Sequence, residues 1–148
     1  MKARDIMTTH PSIVTPGDTV SRAAQMMRER NVGMLPVIED LLSRRLKGVL
    51  TDRDIVLRCV ASGHGAGCLV RDHMTSRDLC SVQPDEPVSE AMLRMTQHRV
   101  RRLCVVSVDG RLVGVITLAD LAARLKPNDA QSVADLAGRD AAIHSFAH

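Results

Sequence analysis

The chain repeats itself. GVLTDRDI at residues 48–55 returns as GVITLADL at 114–121, RDIMT at 4–8 returns as RDHMT at 71–75, and VTPGDTVSRAAQMM at 14–27 returns as VQPDEPVSEAMLRM at 82–95. The offset is 67 between Met7 and Met74, 68 between Met27 and Met95, and 66 between Thr51 and Thr117, so insertions are confined to loops. The longest is EDLLSRRLK after Ile38, where the second copy has the tighter SVDGRLV. A unit of about 60 residues buries too little apolar surface to be secure alone, so duplication implies that two units share the work of burial.

Each copy resolves into the same elements. Ser12–Thr15 and Cys80–Gln83 read as short β-type runs ended by a Pro that cannot continue a ladder. A helix follows: Val20, Ala23, Ala24 and Met27 share one face, and Val88, Ala91, Met92 and Met95 repeat it, with Pro87 suited to a first helical position. MLPVI at 34–38 and LCVVSV at 103–108 each lead through a turn into GVL or GVI, forming hairpins, the second turning at Asp109-Gly110. The last helix runs from Asp52 to about Ser62 before Gly63, and its counterpart from Leu118 to Lys126 before Pro127. The fold class is thus α/β in content, more narrowly α+β: two β-α-β-β-α motifs packed with pseudo-twofold symmetry. Residues 1–63 form the first motif, 64–70 a linker, 71–126 the second motif and 127–148 a C-terminal tail with a weak helical pattern in Val133, Leu136 and Ile143.

Composition narrows what such a pair can do. Among 148 residues there is no Trp, no Tyr and one Phe, so any flat ligand must be gripped by aliphatic faces. A net charge of +3 and the lack of base-stacking rings disfavour nucleic acid as a partner, including at HRVRR (98–102), which reads as a solvated basic edge or a phosphate contact. No apolar run is long enough to span a membrane, and MKARDIMTTH lacks the apolar stretch of a signal peptide, so a cytoplasmic location is expected. Cys59, Cys68, Cys80 and Cys104 form no C-x-x-C pair and read as thiols. Cys59, His64, Cys68 and His73 have ligand chemistry, but their spacing is not that of a recognised finger and GHGAG reads as a linker, so no metal is assigned.

The twin T-x-x-D carries two readings. Thr51 with Asp54, and Thr117 with Asp120, at strand-to-helix junctions match a capping box, each side chain satisfying a backbone N–H of the first turn. The same residue types beside a helix N-terminus also suit a hydroxyl-rich or anionic ligand, since a carboxylate can accept from two vicinal ribose hydroxyls at once. Gly48 and Gly114, at the strand starts, permit a neighbouring backbone to approach closely.

DIMT near the start, VGMLPV in the middle and GVLTDRD before the last helix, in this order and twice, resemble a CBS-domain pair, or Bateman module, over residues 4–126. The runs VGMLPVIEDLLSRRLKGVLTDRDIVLR and HRVRRLCVVSVDGRLVGVITLADLAARL are particularly similar to small stand-alone bacterial CBS-pair proteins, including the hypoxic-response type. The resemblance implies a non-enzymatic regulatory module that requires no cofactor and takes an adenine nucleotide or other adenosine-containing ligand (AMP, ADP, ATP, NAD or S-adenosylmethionine) in clefts between the motifs. By that likeness Thr51 and Asp54 hold one ribose and Thr117 and Asp120 the other. Ile13, Val14, Met34 and Leu35 enclose one adenine, and Cys80, Val82, Arg102 and Leu103 the second. His98, Arg99, Arg101 and Arg102 lie within reach of a phosphate chain. The second copy departs from the family pattern at Cys104, where Pro is usual, and has Arg101-Arg102 where the first has Gly33-Met34. The expected partners are a second copy of the chain, forming a homodimer through exposed helices, and an effector protein of unknown identity. The alternative is a ligand-free homodimeric scaffold or stress protein whose T-x-x-D motifs only cap helices; a metal or redox role for the cysteines stands third.

Overall fold

The computed structural model describes residues 1–124; the segment 127–148 lies outside them, as does the expected end of the last helix near Lys126. In chain order come α1 (Ala3–Ile6), α2 (Val20–Arg30), β1 (Met34–Ile38), β2 (Leu46–Thr51), α3 (Asp52–Asp54), β3 (Ser81–Val82), α4 (Val88–His98), β4 (Arg102–Val106), β5 (Leu112–Thr117) and α5 (Leu118–Arg124). The repeat is visible in this order, α2-β1-β2-α3 being matched by α4-β4-β5-α5. The content is mixed helix and strand.

The chain divides into two compact units, and they do not coincide with the two sequence copies. One unit contains His10–Leu79 with Gly110–Leu112; the other contains Met1–Thr9, Cys80–Asp109 and, among the described residues, 113–124. Thus α1, encoded in the first copy, packs with the second, where Ala3 N donates to Glu86 O at 2.9 Å and Arg4 N to Pro84 O at 3.0 Å. Arg4 also pairs there with Asp85. Conversely RDHMT, encoded in the second copy, packs with the first, where Arg71 N donates to Pro16 O at 3.1 Å.

In the first unit β1 and β2 pair antiparallel, Met34 facing Thr51 and Leu35 facing Leu50, with an irregularity between Val37 and Ile38. The expected strand at 12–15 contracts to a single parallel bridge between Val14 and Val37, because Pro11 and Pro16 flank it and neither can donate to a ladder. In the second unit β3, β4 and β5 lie side by side, β3 parallel to β4 through Ser81–Cys104 and Val82–Val105. Gly110 has φ +86°, as the expected Asp109-Gly110 turn requires.

Each unit has its own aliphatic core. Val14, Ala23, Met27, Leu35, Val37, Leu50 and Val70 form one. Ala3, Ile6, Val88, Ala91, Met95, Leu103, Ile116 and Leu121 are among those forming the other. Ala24, expected on the buried face of α2, is exposed, while Met26 packs on the core. The stripe centres on Ala23 and Met27, leaving both flanking positions at its edge; a long thioether reaches inward from there and a methyl group does not. Both long helices end in a left-handed residue, Asn31 and Arg99 with φ 54° and 55°, after which Val32 N and Val100 N each bond back to the carbonyl of Met27 or Met95 at 3.0 Å.

The helix expected from Asp52 to Ser62 starts in place but changes pitch. Beyond α3 it continues as a π-helix over Ile55–Val60, with Ala61 N bonded to Val56 O at 2.9 Å, and turns at Gly63, φ +75°. α1 and a 3₁₀ turn at Val70–Asp72 occupy equivalent places in the repeat and are absent from the sequence expectation.

Candidate functional site

Both T-x-x-D motifs form the capping box that their spacing specifies. Thr51 N donates to Asp54 Oδ2 at 3.0 Å and Asp54 N donates to Thr51 Oγ1 at 3.0 Å. Thr117 N donates to Asp120 Oδ2 at 2.8 Å and Asp120 N to Thr117 Oγ1 at 3.1 Å. Each cap uses one carboxylate oxygen. The second oxygen of Asp54 faces Arg58 Nε at 3.7 Å, and its side chain is 13% exposed. Capping and ligand binding are therefore compatible: the box fixes each carboxylate's rotamer and leaves one oxygen outside it.

The surroundings of the caps are set by backbone. Asp52 N donates to Gly33 O and Leu118 N to Arg101 O, both at 2.9 Å, so in each unit the first strand of the hairpin starts against the helix N-terminus. Met34, opposite Thr51 in the ladder and half-buried, offers an apolar wall beside the first cap. Val14 N bonds to Pro36 O at 3.1 Å on the other edge of β1, bringing half-buried Ile13 to the same sheet. In the second unit half-buried Cys80 precedes β3, and exposed Arg102 opens β4.

Four of the residues assigned to the adenine walls are core residues. Val14 and Val82 are 1% exposed and Leu35 and Leu103 are 0% exposed, so they support the site from beneath while Ile13, Met34, Cys80 and Arg102 present accessible surface. The split follows position along the strands: β1 is half-buried at Met34 and buried from Leu35 to Ile38, and β4 is exposed at Arg102 and buried from Leu103 to Val105, so the strand starts are accessible and the residues further in are covered. His98, Arg99 and Arg101 are exposed. Arg99 also has a backbone duty as the left-handed cap of α4, which the sequence reading missed; Asn31 at the equivalent place was the available signal. Burial pushes the Cys80 thiol up, the Arg94 charge opposing it. Away from the caps, Cys59, His64, Cys68 and His73 gather in the first unit.

The family model described as CBS domain matches residues 3–60 and again 70–127. The CBS domain-containing protein YhcV of Bacillus subtilis is 40% identical over 126 residues, covering 85% of this chain and 86% of that protein. Hypoxic response protein 1 of Mycobacterium tuberculosis is 38% identical over 123 residues, 83% of this chain and 84% of that one. Among solved structures, Hypoxic Response Protein I with two coordinated zinc ions matches with a TM-score of 0.76 at 37% identity, over 85% of this chain and all (100%) of that one. CBSX2 in complex with AMP matches with a TM-score of 0.70 at 27% identity, over 82% and 93% of the two chains.

Proposed function

The chain belongs to the CBS-domain family, with the domain present twice, and we propose that it is a regulatory module without catalysis of its own, binding an adenosine-containing ligand at Thr51–Asp54 and Thr117–Asp120. The carrying observation is the state of the two carboxylates. Each is held by its own cap through Oδ2, at a helix start, with its other oxygen outside the box. A ribose diol needs an acceptor of this kind, already ordered, beside an apolar surface for the base. Met34 and Ile13 supply that surface in the first unit, and Cys80 with the Arg102 stem supplies it in the second. Arg101, Arg102, His98 and Arg99 give the second site a cationic rim suited to phosphate. The AMP complex of CBSX2 supports the ligand class.

Signal transfer then requires a second macromolecule or a change in assembly, because a ligand shifts an equilibrium only by its differential affinity for two states. A homodimer fits the surface: Val56, Leu57 and Val60 of the π-helical segment are 50–62% exposed, and Leu93 on α4 is 48% exposed. The test is thermal unfolding with AMP, ADP, ATP, NAD and S-adenosylmethionine. A ligand at a hundred times its dissociation constant adds about 2.7 kcal/mol. Stabilisation by one or more, diminished in Asp54→Ala and Asp120→Ala, is expected; equal loss of stability with and without ligand leaves the motifs as caps alone.

A further inference from the structure

Cys59, Cys68 and His73 are separated by nine and five positions in the sequence, yet the two thiol sulfurs and a ring nitrogen of His73 all lie within 4.8 Å of one another. A fourth donor stands beside them: His64 Nδ1 is 3.4 Å from His73 Nε2, with ring centroids 5.2 Å apart. In a tetrahedral zinc site with bonds of 2.0–2.3 Å, neighbouring donor atoms are separated by about 3.3–3.8 Å. The histidine pair already has that edge, and the thiols are within about 1 Å of completing it.

The surroundings hold this constellation for reasons unrelated to the caps. The π-helical pitch carries Cys59 to the helix end, where His64 N bonds back to Cys59 O at 3.0 Å. Gly63, at φ +75°, reverses the chain. Cys68 is returned by Val20 N, which donates to Cys68 O at 2.7 Å. His73 follows the 3₁₀ turn, and its carbonyl accepts from Arg58 Nη1 at 3.3 Å. Cys59 and His73 are 2% and 3% exposed. A buried imidazole whose only ring partner among the described residues is another imidazole is an unusual thing to hide, since it gains one hydrogen bond for the loss of its hydration. A cation would satisfy both rings and both sulfurs together.

We propose that Cys59, Cys68 and His73, closed by His64, form a structural binding site for one thiophilic divalent cation of the zinc type. Two thiolates favour zinc, cobalt or cadmium over magnesium or calcium, which take oxygen donors. Four protein donors close the coordination sphere, leaving no position for substrate and making the role structural. Binding replaces the two thiol protons by the metal, so it releases up to two protons and weakens as pH falls. The metal would pin the 61–69 segment between the end of the π-helix and the His73 turn.

The test is metal content of the full chain after equilibration with zinc sulfate and gel filtration, with cobalt(II) substitution for spectroscopy. One zinc per chain is expected, with a thiolate-to-cobalt charge-transfer band and tetrahedral visible bands. The Cys59→Ser/Cys68→Ser and His73→Asn variants should lose both signals, His64→Asn should release zinc to a chelator faster, and Asp54→Ala with Asp120→Ala should retain it, separating this site from nucleotide binding. Because a variant can misfold, the wild-type chain gives an independent reading: zinc should slow alkylation of Cys59 and Cys68, mapped by peptide mass, at least tenfold relative to chelator-treated protein. Absence of zinc and of the charge-transfer band in fully reduced protein overturns the proposal. So does undiminished zinc in the double serine variant, or a Cys59–Cys68 disulfide that persists with zinc present.

Discussion

Val49 and Thr75 exchange both backbone hydrogen bonds, each 2.9 Å long, although Val49 comes from the first sequence copy and Thr75 from the second. Thr8 and Val115 form the reciprocal pair at 2.8 and 3.1 Å. Glycine makes both contacts possible: a Cβ on Gly48 would lie 2.4 Å from Thr75 O, and one on Gly114 would lie 2.9 Å from Thr8 O and 2.7 Å from Met7 Sδ. Gly48→Ala is therefore expected to lower unfolding free energy by about 2–4 kcal/mol, measured by urea titration, because a backbone carbonyl cannot step aside as a side chain can. Gly114→Ala should cost less, since part of its clash is with a flexible thioether.

The caps contribute to stability with or without ligand. Thr51→Ala and Thr117→Ala should each cost about 1 kcal/mol in ligand-free protein by removing the oxygen that accepts from the Asp54 or Asp120 amide. In nucleotide titrations the same variants should lose more than this, because the hydroxyl that stands beside the carboxylate in the proposed ribose site is then missing, although the backbone N–H of residue 51 or 117 still holds the carboxylate. Calorimetry of both states separates the two contributions.

Arg94 is the polar hub of the second unit. It forms paired hydrogen bonds with Glu86 at 2.7 and 2.9 Å, bonds Glu90 at 3.0 Å and donates to Ser81 O at 2.6 Å, its side chain 29% exposed. Arg94→Ala removes the guanidinium from two carboxylates and a strand carbonyl, leaving Glu86 with only the Gln83 N–H, and should cost about 1–3 kcal/mol in chemical denaturation.

The pH profile of stability should fall at both ends. Glu86 is held below its ordinary value of 4.5, first by the Gln83 amide and then by Arg94 against the opposing effect of burial. A depressed carboxylate stabilises the fold above its unfolded value, and that contribution is lost as pH drops through the folded one. Burial, reinforced by Cys80, pushes the Cys104 thiol up to about 12 from 9.0, so its contribution is intact below 9 and lost above, as the unfolded thiol ionises first. Arg94→Met should blunt the acid limb and Cys104→Ala the alkaline one in thermal melts across pH. Native Cys104 should also resist thiol reagents at neutral pH until the chain unfolds.

Dimer formation is expected to depend on the π-helical face. Leu57→Glu or Val60→Glu, at positions 50% and 62% exposed, should convert a dimer to monomers by light scattering while leaving the melting temperature of the monomer near that of wild type. A single species of unchanged mass in both variants would place the association elsewhere.

Much of the architecture was legible because the sequence states it twice. The hairpins, α2 and α4, and the two capping boxes follow from apolar period, turn residues and T-x-x-D spacing, all local properties read within a dozen residues. Other features depended on contacts that local spacing does not encode. Ala24 faces outward and Met26 inward because side-chain reach decides at the edge of a stripe. The exchange of α1 and RDHMT between units escaped a reading by copies, because a repeat reports common ancestry of segments and not which copy each one packs upon.

By itself the sequence determined the duplicated α+β plan, the aliphatic cores and the paired hydroxyl and carboxylate groups at two helix starts, since periodicity, capping and composition act over short stretches of chain. Only the tertiary structure decided that Val14, Leu35, Val82 and Leu103 are core residues, that Gly48 and Gly114 each admit a segment from the opposite copy, and that two thiols and two imidazoles from a glycine-rich connection meet. Those outcomes depend on a π-helical pitch, a left-handed turn and hydrogen bonds between residues far apart in the chain, and convergence of that kind is a property of three-dimensional packing.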